Sequence, residues 1–215
     1  MPQLTKALVR QLPKNGPTDP ILYYRRPLVG WLFRERINLG LRLLPVRSFD
    51  HVVEVGYGAG AVLLTLASGA SHLHGLDLDA DPEPVHAILG ASGHRAELVK
   101  GSVYEMPFPS GLADLVVCFS VFEHLSEYRR GLREVRRILR PGGLFLLGMP
   151  AVNRMMEAGF RAIGFKGVEH HHVTTPAAVA DAFGEAGFRV VKKQNLSLPI
   201  PGFLTIYYNW LLEAA

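Results

Sequence analysis

Residues His51 to Gly60 read HVVEVGYGAG, and this stretch decides the fold. Val52, Val53 and Val55 form a short β-branched run of the kind found in buried parallel strands. Glu54 sits near the end of that run. Gly56, Gly58 and Gly60 follow at alternate positions, and AVLLTLASGA then reads as a helix. Strand, glycine turn and helix open a nucleotide-binding α/β unit. Glycine lets the backbone turn sharply and approach a ligand closely, and the helix start offers free N–H groups. The same turn, read as Gly56-x-Gly58-x-x-Ala61, also fits a dinucleotide fingerprint, so a nicotinamide cofactor stays open on these residues alone.

Outward from this turn, the next apolar run, His72 to Leu76, ends in Asp77. A carboxylate at that strand tip is placed to accept hydrogen bonds from a ribose diol, with Asp79 and Asp81 as rivals. Pro82 and Pro84 open a helix that ends near Gly90, and Arg95 to Lys100 reads as a third strand. Gly101, Ser102, Val103 and then Met106-Pro107-Phe108 follow it. Leu115 to Phe119 is the fourth strand, and Ser120 to Leu125 leaves its carboxyl end. Ligands of open α/β sheets bind outside those ends, so Phe119, Ser120, Glu123 and His124 fall near the expected chemistry. Residues 125–139 are periodic as a helix, Arg140-Pro141-Gly142-Gly143 stops it, and LFLLGMP is the fifth strand. Thr175-Pro176 caps a helix through Ala186, Phe188 to Lys193 is a sixth strand, and Leu204 to Tyr208 a seventh.

Four of these pieces, in this order and spacing, resemble the class I S-adenosylmethionine-dependent methyltransferases, in particular the small-molecule "type 11" domain. They are Glu54-x-Gly56-x-Gly58-x-Gly60, Gly101 with Met106-Pro107-Phe108, LREVRRILRPGGLFLLGMP, and HHHVTTP…AGFRVV. The resemblance covers about His51 to Lys193. It implies a Rossmann-like, doubly wound α/β sheet of seven strands, mostly parallel with an antiparallel last strand, and helices on both faces. It also implies S-adenosylmethionine as cofactor, held by Glu54, Gly56, Tyr57, Gly58, Gly60, Asp77, Leu78, Ser102, Val103 and Phe119. Ser102 stands where the family usually has aspartate, so the adenine contact there would carry no charge. The implied reaction is methyl transfer to a small acceptor, with His124 as the candidate general base because imidazole titrates near neutral pH. The alternatives are a non-catalytic binding protein of this fold and a nicotinamide-dependent oxidoreductase. The chain has no convincing Tyr-x-x-x-Lys pair for the latter.

Composition sets the remaining bounds. The chain has 215 residues, 48% of them hydrophobic and 20% charged, ordinary values for one globular domain. Cys118 is the one cysteine, which excludes an intrachain disulfide and fits a cytoplasmic location. It reads as a buried small hydrophobe rather than a nucleophile. The N-terminus shows no apolar segment of signal-peptide kind. No metal is expected; three adjacent histidines, His170 to His172, rarely serve one ion. Nucleic acid is not expected as a partner, because basic charge is not interleaved with an aromatic recognition motif.

Residues 1–50 carry nine Lys/Arg against three Asp/Glu, an excess of six in a chain of net charge +4. The expected division is therefore residues 1–50 as an N-terminal arm plus a basic amphipathic helix acting as lid or cap, and residues 51–215 as the methyltransferase domain. Residues 1–18 read as a loosely held arm. Asp19-Pro20 starts a helix to Leu44, kinked at Pro27, with Leu28, Trp31, Leu32, Ile37, Leu41 and Leu44 on its apolar face. Its arginines leave a peripheral membrane or lipid contact open. With the aromatic C-terminal stretch and residues 151–173, this helix is expected to make the acceptor cleft apolar.

Overall fold

The computed structural model describes residues 3–16, 19–151, 173–198 and 204–215. The valine-rich run forms β1 (Phe49–Val55), and the next strands are β2 (Ala70–Asp77), β3 (Glu97–Lys100) and β4 (Ala113–Phe119). Then come β5 (Leu139–Pro150), β6 (Phe188–Leu198) and β7 (Leu204–Ala214). They make one seven-stranded sheet in the order β3-β2-β1-β4-β5-β7-β6. β1 to β5 pair in parallel, and β7 runs antiparallel between β5 and β6. This is the sheet that the family resemblance implied.

Helices cover both faces. On one side lie α1 (Lys6–Gln11), α2 (Ile21–Tyr24), α3 (Pro27–Leu41), α4 (Ala61–Leu66) and α5 (Pro82–Ala91), sharing a core with Val52, Leu115 and Leu146. On the other lie α6 (Tyr128–Ile138) and α7 (Pro176–Asp181), packed with Val53, Val116 and Phe145. Neighbouring residues of one strand feed opposite cores, as a period of two requires. β4 is buried along its whole length, which explains its unbroken apolar sequence.

The N-terminal residues depart from the expectation of a loose arm. Leu4, Val9 and Leu12 are buried in the first core, and Asn38 of α3 holds Leu4 with a 2.7 Å bond from the Leu4 amide. Thr5 caps α1 by accepting from the Leu8 amide. The composition concealed this, because three well-spaced apolar residues suffice to anchor one turn and a half of helix.

The helix expected from Ile21 to Leu44 is two helices, broken where Pro27 starts α3. Pro20 rather than Asp19 is the N-cap residue of the first, and Asp19, just before it, accepts from the Ile21 amide with Oδ1 at 3.0 Å. Of the expected apolar face, Ile37, Leu41 and Leu44 are buried, but Trp31 is 56% exposed and Phe33 is buried as well. α3 lies against β5, β6 and β7. Its close approach needs glycine: a Cβ at Gly40 would stand 2.8 Å from the Phe119 ring. The arginines turn largely inward. Arg34 donates to the Tyr24 carbonyl at 2.6 Å, Arg25 to the Leu12 carbonyl, and Arg42 to Glu35.

Further boundaries differ. The helix expected over residues 125–139 is α6, which starts only at Tyr128 and follows a 3-10 turn, Phe122–His124. β5 starts already at Leu139, with a register irregularity where Arg140-Pro141-Gly142-Gly143 enters the sheet. α7 stops at Asp181 rather than Ala186, its N-cap Thr175 accepting from the Ala178 amide. Among the described residues no helix is long and apolar enough to cross a membrane.

Candidate active site

The strand order reverses between β1 and β4, and their carboxyl ends open a crevice there. β1 feeds it with the glycine turn. Gly56, Gly58 and Gly60 all have positive φ, at 81°, 49° and 76°, conformations that suit glycine. Their surroundings differ. A Cβ at Gly56 would strike Val121 at 2.4 Å and one at Gly60 would strike Val85 at 2.6 Å. At Gly58 the nearest atom would be 3.7 Å away, on Asp19. Gly56 and Gly60 are thus packing glycines, whereas a Cβ at Gly58 would meet Asp19 only at ordinary contact distance.

Asp77 closes the turn from the tip of β2. Its Oδ2 accepts from the Gly58 amide at 2.9 Å, and its Oδ1 accepts from the amides of Asp79 and Ala80. A carboxylate has about four acceptor positions, so capacity remains for a ribose hydroxyl. Of the sequence rivals, Asp81 caps α5 by accepting from the Glu83 amide, and Asp79 is exposed, its backbone amide donating to Asp77. Leu78, next to Asp77, is 62% exposed and offers a bare apolar face beside the crevice. The Gly101 amide donates to the Asp77 carbonyl at 2.8 Å, which brings Ser102 and buried Val103 to the same edge.

The N-terminal segment reaches this turn as well. Asn15 donates from Nδ2 to the Gly58 and Asp81 carbonyls, both at 2.8 Å, and its Oδ1 accepts from the Asp81 amide. Asp19 holds Asn15 through the Asn15 amide at 2.9 Å, and burial with nearby Asp77 pushes the Asp19 carboxyl up from its ordinary value. The sequence gave no signal for Asn15 beyond its place in a Pro- and Gly-rich loop.

Glu54 is buried inside the sheet, paired with Gly75 on one side and Val117 on the other. The Leu63 amide donates to it, and burial pushes its carboxyl well above the usual range. It supports the turn from within. Tyr57 is also inside, its ring against Gly75, with burial and the nearby Asp77 and Asp81 raising its hydroxyl to about 12. Phe119 is wedged between Gly40 and Gly148, on the α3 side, away from the glycine turn.

A second group of polar residues gathers past the end of β4. Ser120 has φ 59°, the one positive φ outside glycine among the described residues. Such backbone strain, costing about 1–3 kcal/mol, tends to sit at functional positions. Its Oγ lies 2.9 Å from the Tyr207 hydroxyl. Arg36 of α3 stands over the Tyr207 ring at 5.1 Å and the Phe33 ring at 4.5 Å, and donates to the Tyr24 hydroxyl at 3.0 Å. Glu123 is 1% exposed, and burial raises its carboxyl to about 8 against the pull of Arg36. Among the described residues, Glu123 Oε2, Arg36 Nε and Asn209 Oδ1 are buried without a hydrogen-bond partner. His124, the base expected from the sequence, is 45% exposed, with its Nε2 3.9 Å from Glu123 Oε1. Leu32, Phe33, Arg36, Pro150, Leu196, Ile206 and Tyr207 line a small cleft here, apolar apart from Arg36 and the tyrosine hydroxyl. His170 to His172 and most of the 151–173 segment lie outside the described residues.

An arginine-rich helix surface is ordinarily solvated. Arg137 instead donates to the carbonyls of Met106 and Phe108, both at 2.8 Å, and pairs with Glu134, which accepts from the Met106 amide. It holds the loop that follows Ser102 and Val103. Cys118 is buried, and burial with Glu123 and Glu54 raises its thiol well above the ordinary value, so it is no nucleophile.

The comparisons with known proteins agree with this geometry. The methyltransferase-domain family profile matches residues 53–147. A Mycolicibacterium smegmatis protein named "Probable S-adenosylmethionine-dependent methyltransferase" is 37% identical over 99 residues, 46% of this chain and 37% of the relative. A Listeria monocytogenes demethylmenaquinone methyltransferase is 24% identical over 178 residues, 71% of this chain and 75% of the relative. The chain spans about two fifths of the length of the mycobacterial relatives it matches. The crystal structure of the YcgJ protein from Bacillus subtilis superposes with a TM-score of 0.66 at 16% identity, over 83% of this chain and 97% of that one. The residues present fit S-adenosylmethionine: Asp77 has acceptor capacity left, Leu78 is bare, and Glu54 Oε2 and the Tyr57 hydroxyl are buried beside the turn without a hydrogen-bond partner. Residues 53–147 thus match the methyltransferase-domain family, and over that stretch the chain is similar to S-adenosylmethionine-dependent methyltransferases.

Proposed function

We propose that the chain transfers a methyl group from S-adenosylmethionine to a small acceptor with an apolar body and an ionisable hydroxyl. S-adenosylmethionine, when bound, supplies a methyl group already activated by positive sulfur. The chain's own residues then need to align and deprotonate the acceptor. The observation that carries the reading is the apolar cleft whose polar wall holds Arg36 and Tyr207 beside buried, unpartnered Glu123 Oε2.

The roles follow from the chemistry. The turn and Asp77 hold the cofactor. Leu32, Phe33, Leu196 and Ile206 receive the apolar body and exclude water. Arg36 Nε, a buried donor without a partner, is satisfied by the acceptor oxygen and favours its anion. Glu123 takes the acceptor's proton on Oε2; its value of about 8 suits a base near neutral pH. His124, 3.9 Å from Glu123 Oε1 and open to solvent, carries the proton away. We therefore assign the base role to Glu123 rather than His124. The name of the Listeria relative favours a small-molecule acceptor over a macromolecule.

Transfer of label from S-adenosylmethionine carrying a tritiated methyl group tests this, against a panel of phenols, enols, lipids and free sugars. The reading expects label in apolar hydroxyl acceptors. Label confined to sugars would refute the acceptor class. Cofactor binding with no transfer to any acceptor would favour a non-catalytic protein of this fold.

A further inference from the structure

At the amino edge of the sheet, away from the glycine turn, three histidines share one face of β1 and β2. The register sets His51 opposite His72 and Val53 opposite His74, with His74 in turn opposite Glu97 of β3. Alternation along a strand puts His72 and His74 on the same face, and His51 joins them there. The rings of His51 and His72 stack with centroids 4.6 Å apart. Asp50 completes the group: its Oδ2 lies 3.9 Å from His51 Nε2 and its Oδ1 lies 4.0 Å from His72 Nε2. One donor atom from each of Asp50, His51 and His72 falls within 4.8 Å of the others.

A hydrogen-bond chain behind this trio decides the state of His51. His74 Nδ1 lies 2.9 Å from Glu97 Oε2, and His51 Nδ1 lies 3.0 Å from His74 Nε2. The carboxylate can only accept, so His74 Nδ1 donates to it. With His51 Nε2 turned to an ion, His51 Nδ1 carries the ring proton and donates to His74 Nε2. His51 Nε2 faces Asp50 and His72. A carboxylate–histidine relay behind a ligating histidine is the usual outer support of a metal site, where it fixes tautomer and raises basicity. The backbone is set as well: Asp114 Oδ2 accepts from the amides of Asp50 and His51 at 3.1 and 2.8 Å.

We propose that Asp50, His51 and His72 form a binding site for a divalent transition ion of the zinc kind. Two imidazoles and one carboxylate suit zinc, with water in the fourth position. Bonds of about 2.0–2.2 Å require the donor atoms to close by roughly 1 Å from their present spacing. Asp50 and His72 side chains are 67% and 61% exposed, so rotation alone can supply that movement. The site lies at the start of β1, four residues before the strand ends at Val55, so it takes no part in methyl transfer. It ties β1 to β2 beneath the crevice.

The test uses the chelator-stripped full chain without a polyhistidine tag. Zinc is titrated by calorimetry, cobalt by its visible spectrum, and the melting temperature is followed. One ion per chain should bind, the melting temperature should rise with zinc concentration, and cobalt should show tetrahedral bands. His72→Ala, at an exposed position, should weaken zinc at least tenfold while S-adenosylhomocysteine still binds. His74→Gln should cost roughly ten- to hundredfold by loosening His51. A variant with His170, His171 and His172 all changed to Gln should bind zinc as before. No zinc binding by the stripped chain overturns the proposal. So does binding that survives His72→Ala and is lost in the variant of the His170–His172 run.

Discussion

The side-chain amide of Asn15 donates to the carbonyl oxygen of Gly58 at 2.8 Å, which fastens the N-terminal segment onto the turn that receives the cofactor. The same amide group also grips Asp81 on both its carbonyl and its amide, so one side chain bridges the two loops flanking the crevice. Each neutral bond contributes about 0.5–1.5 kcal/mol net. Asn15→Ala should therefore speed release of S-adenosylhomocysteine by roughly tenfold. Stopped-flow release rates check it. An unchanged rate would mean that the segment does not close over the cofactor.

Asp77 has two duties, ordering the turn and holding the ribose. Asp77→Ala should lower cofactor affinity by at least about tenfold, since bonds to a charged group contribute roughly 1.5–3 kcal/mol each. Asp77→Asn should do nearly as badly, because an amide cannot accept on both atoms from Gly58, Asp79 and Ala80. Calorimetric affinity equal to the parent's in both variants would move the ribose contact to another group.

Arg137 gives a prediction about stability. Arg137→Ala leaves the carbonyls of Met106 and Phe108 and the Glu134 carboxylate short of a donor. The loss should be about 1–3 kcal/mol, and the melting temperature should fall by roughly 2–4 °C for each kcal/mol. Arg137→Lys should recover only part, because lysine cannot span both carbonyls and the carboxylate with a planar fork. A fully stable Arg137→Ala chain would mean that the loop is held otherwise.

Glu123 gives a prediction about pH. Its carboxyl is raised in the folded chain to about 8, so its contribution to stability is complete below its ordinary value of 4.5. That contribution is lost as pH climbs through about 8, because the unfolded chain gives up the proton first. Glu123→Gln should flatten the stability–pH curve over that window. Activity runs the other way. The base is competent when deprotonated, so kcat/KM should rise toward pH 8 in the parent and lose that limb in Glu123→Gln, with a drop of about a hundredfold or more. A Glu123→Gln enzyme with the parent's rate and profile would remove Glu123 from the chemistry.

Much of this molecule is legible in its sequence, for physical reasons that also mark where reading stops. The valines of β1 and the all-buried run of β4 announce central strands, because no other element buries consecutive residues on two faces. The glycine turn and Asp77 are readable because their spacing is set by backbone geometry. Arg36 is not, and Glu123 is readable only as lying near the expected chemistry, not as buried. Both are charged residues in amphipathic-looking stretches, where the solvated face is the ordinary place for a charge. Only the packing of α3 over β7 turns Arg36 toward Tyr207, and only the tight 3-10 turn after β4 drives Glu123 inward. Trp31 misled for the converse reason: a large apolar residue at helical spacing reads as core, yet it is exposed while Ile37 and Leu41 of the same helix are buried. The histidine row of β1 and β2 needs the register, which no local pattern prints.

Titration of the chain with S-adenosylhomocysteine and with NAD, in the parent and in Gly58→Val, tests the central claim most directly. A Cβ at Gly58 would meet Asp19 at ordinary contact distance, 3.7 Å, and the φ of 49° adds backbone strain to a branched side chain, so loss of binding counts only in a chain that still folds. The account predicts one S-adenosylhomocysteine per parent chain, no heat from NAD, and loss of binding in a Gly58→Val chain that still melts cooperatively. Tight NAD binding with no S-adenosylhomocysteine binding in the parent would contradict it.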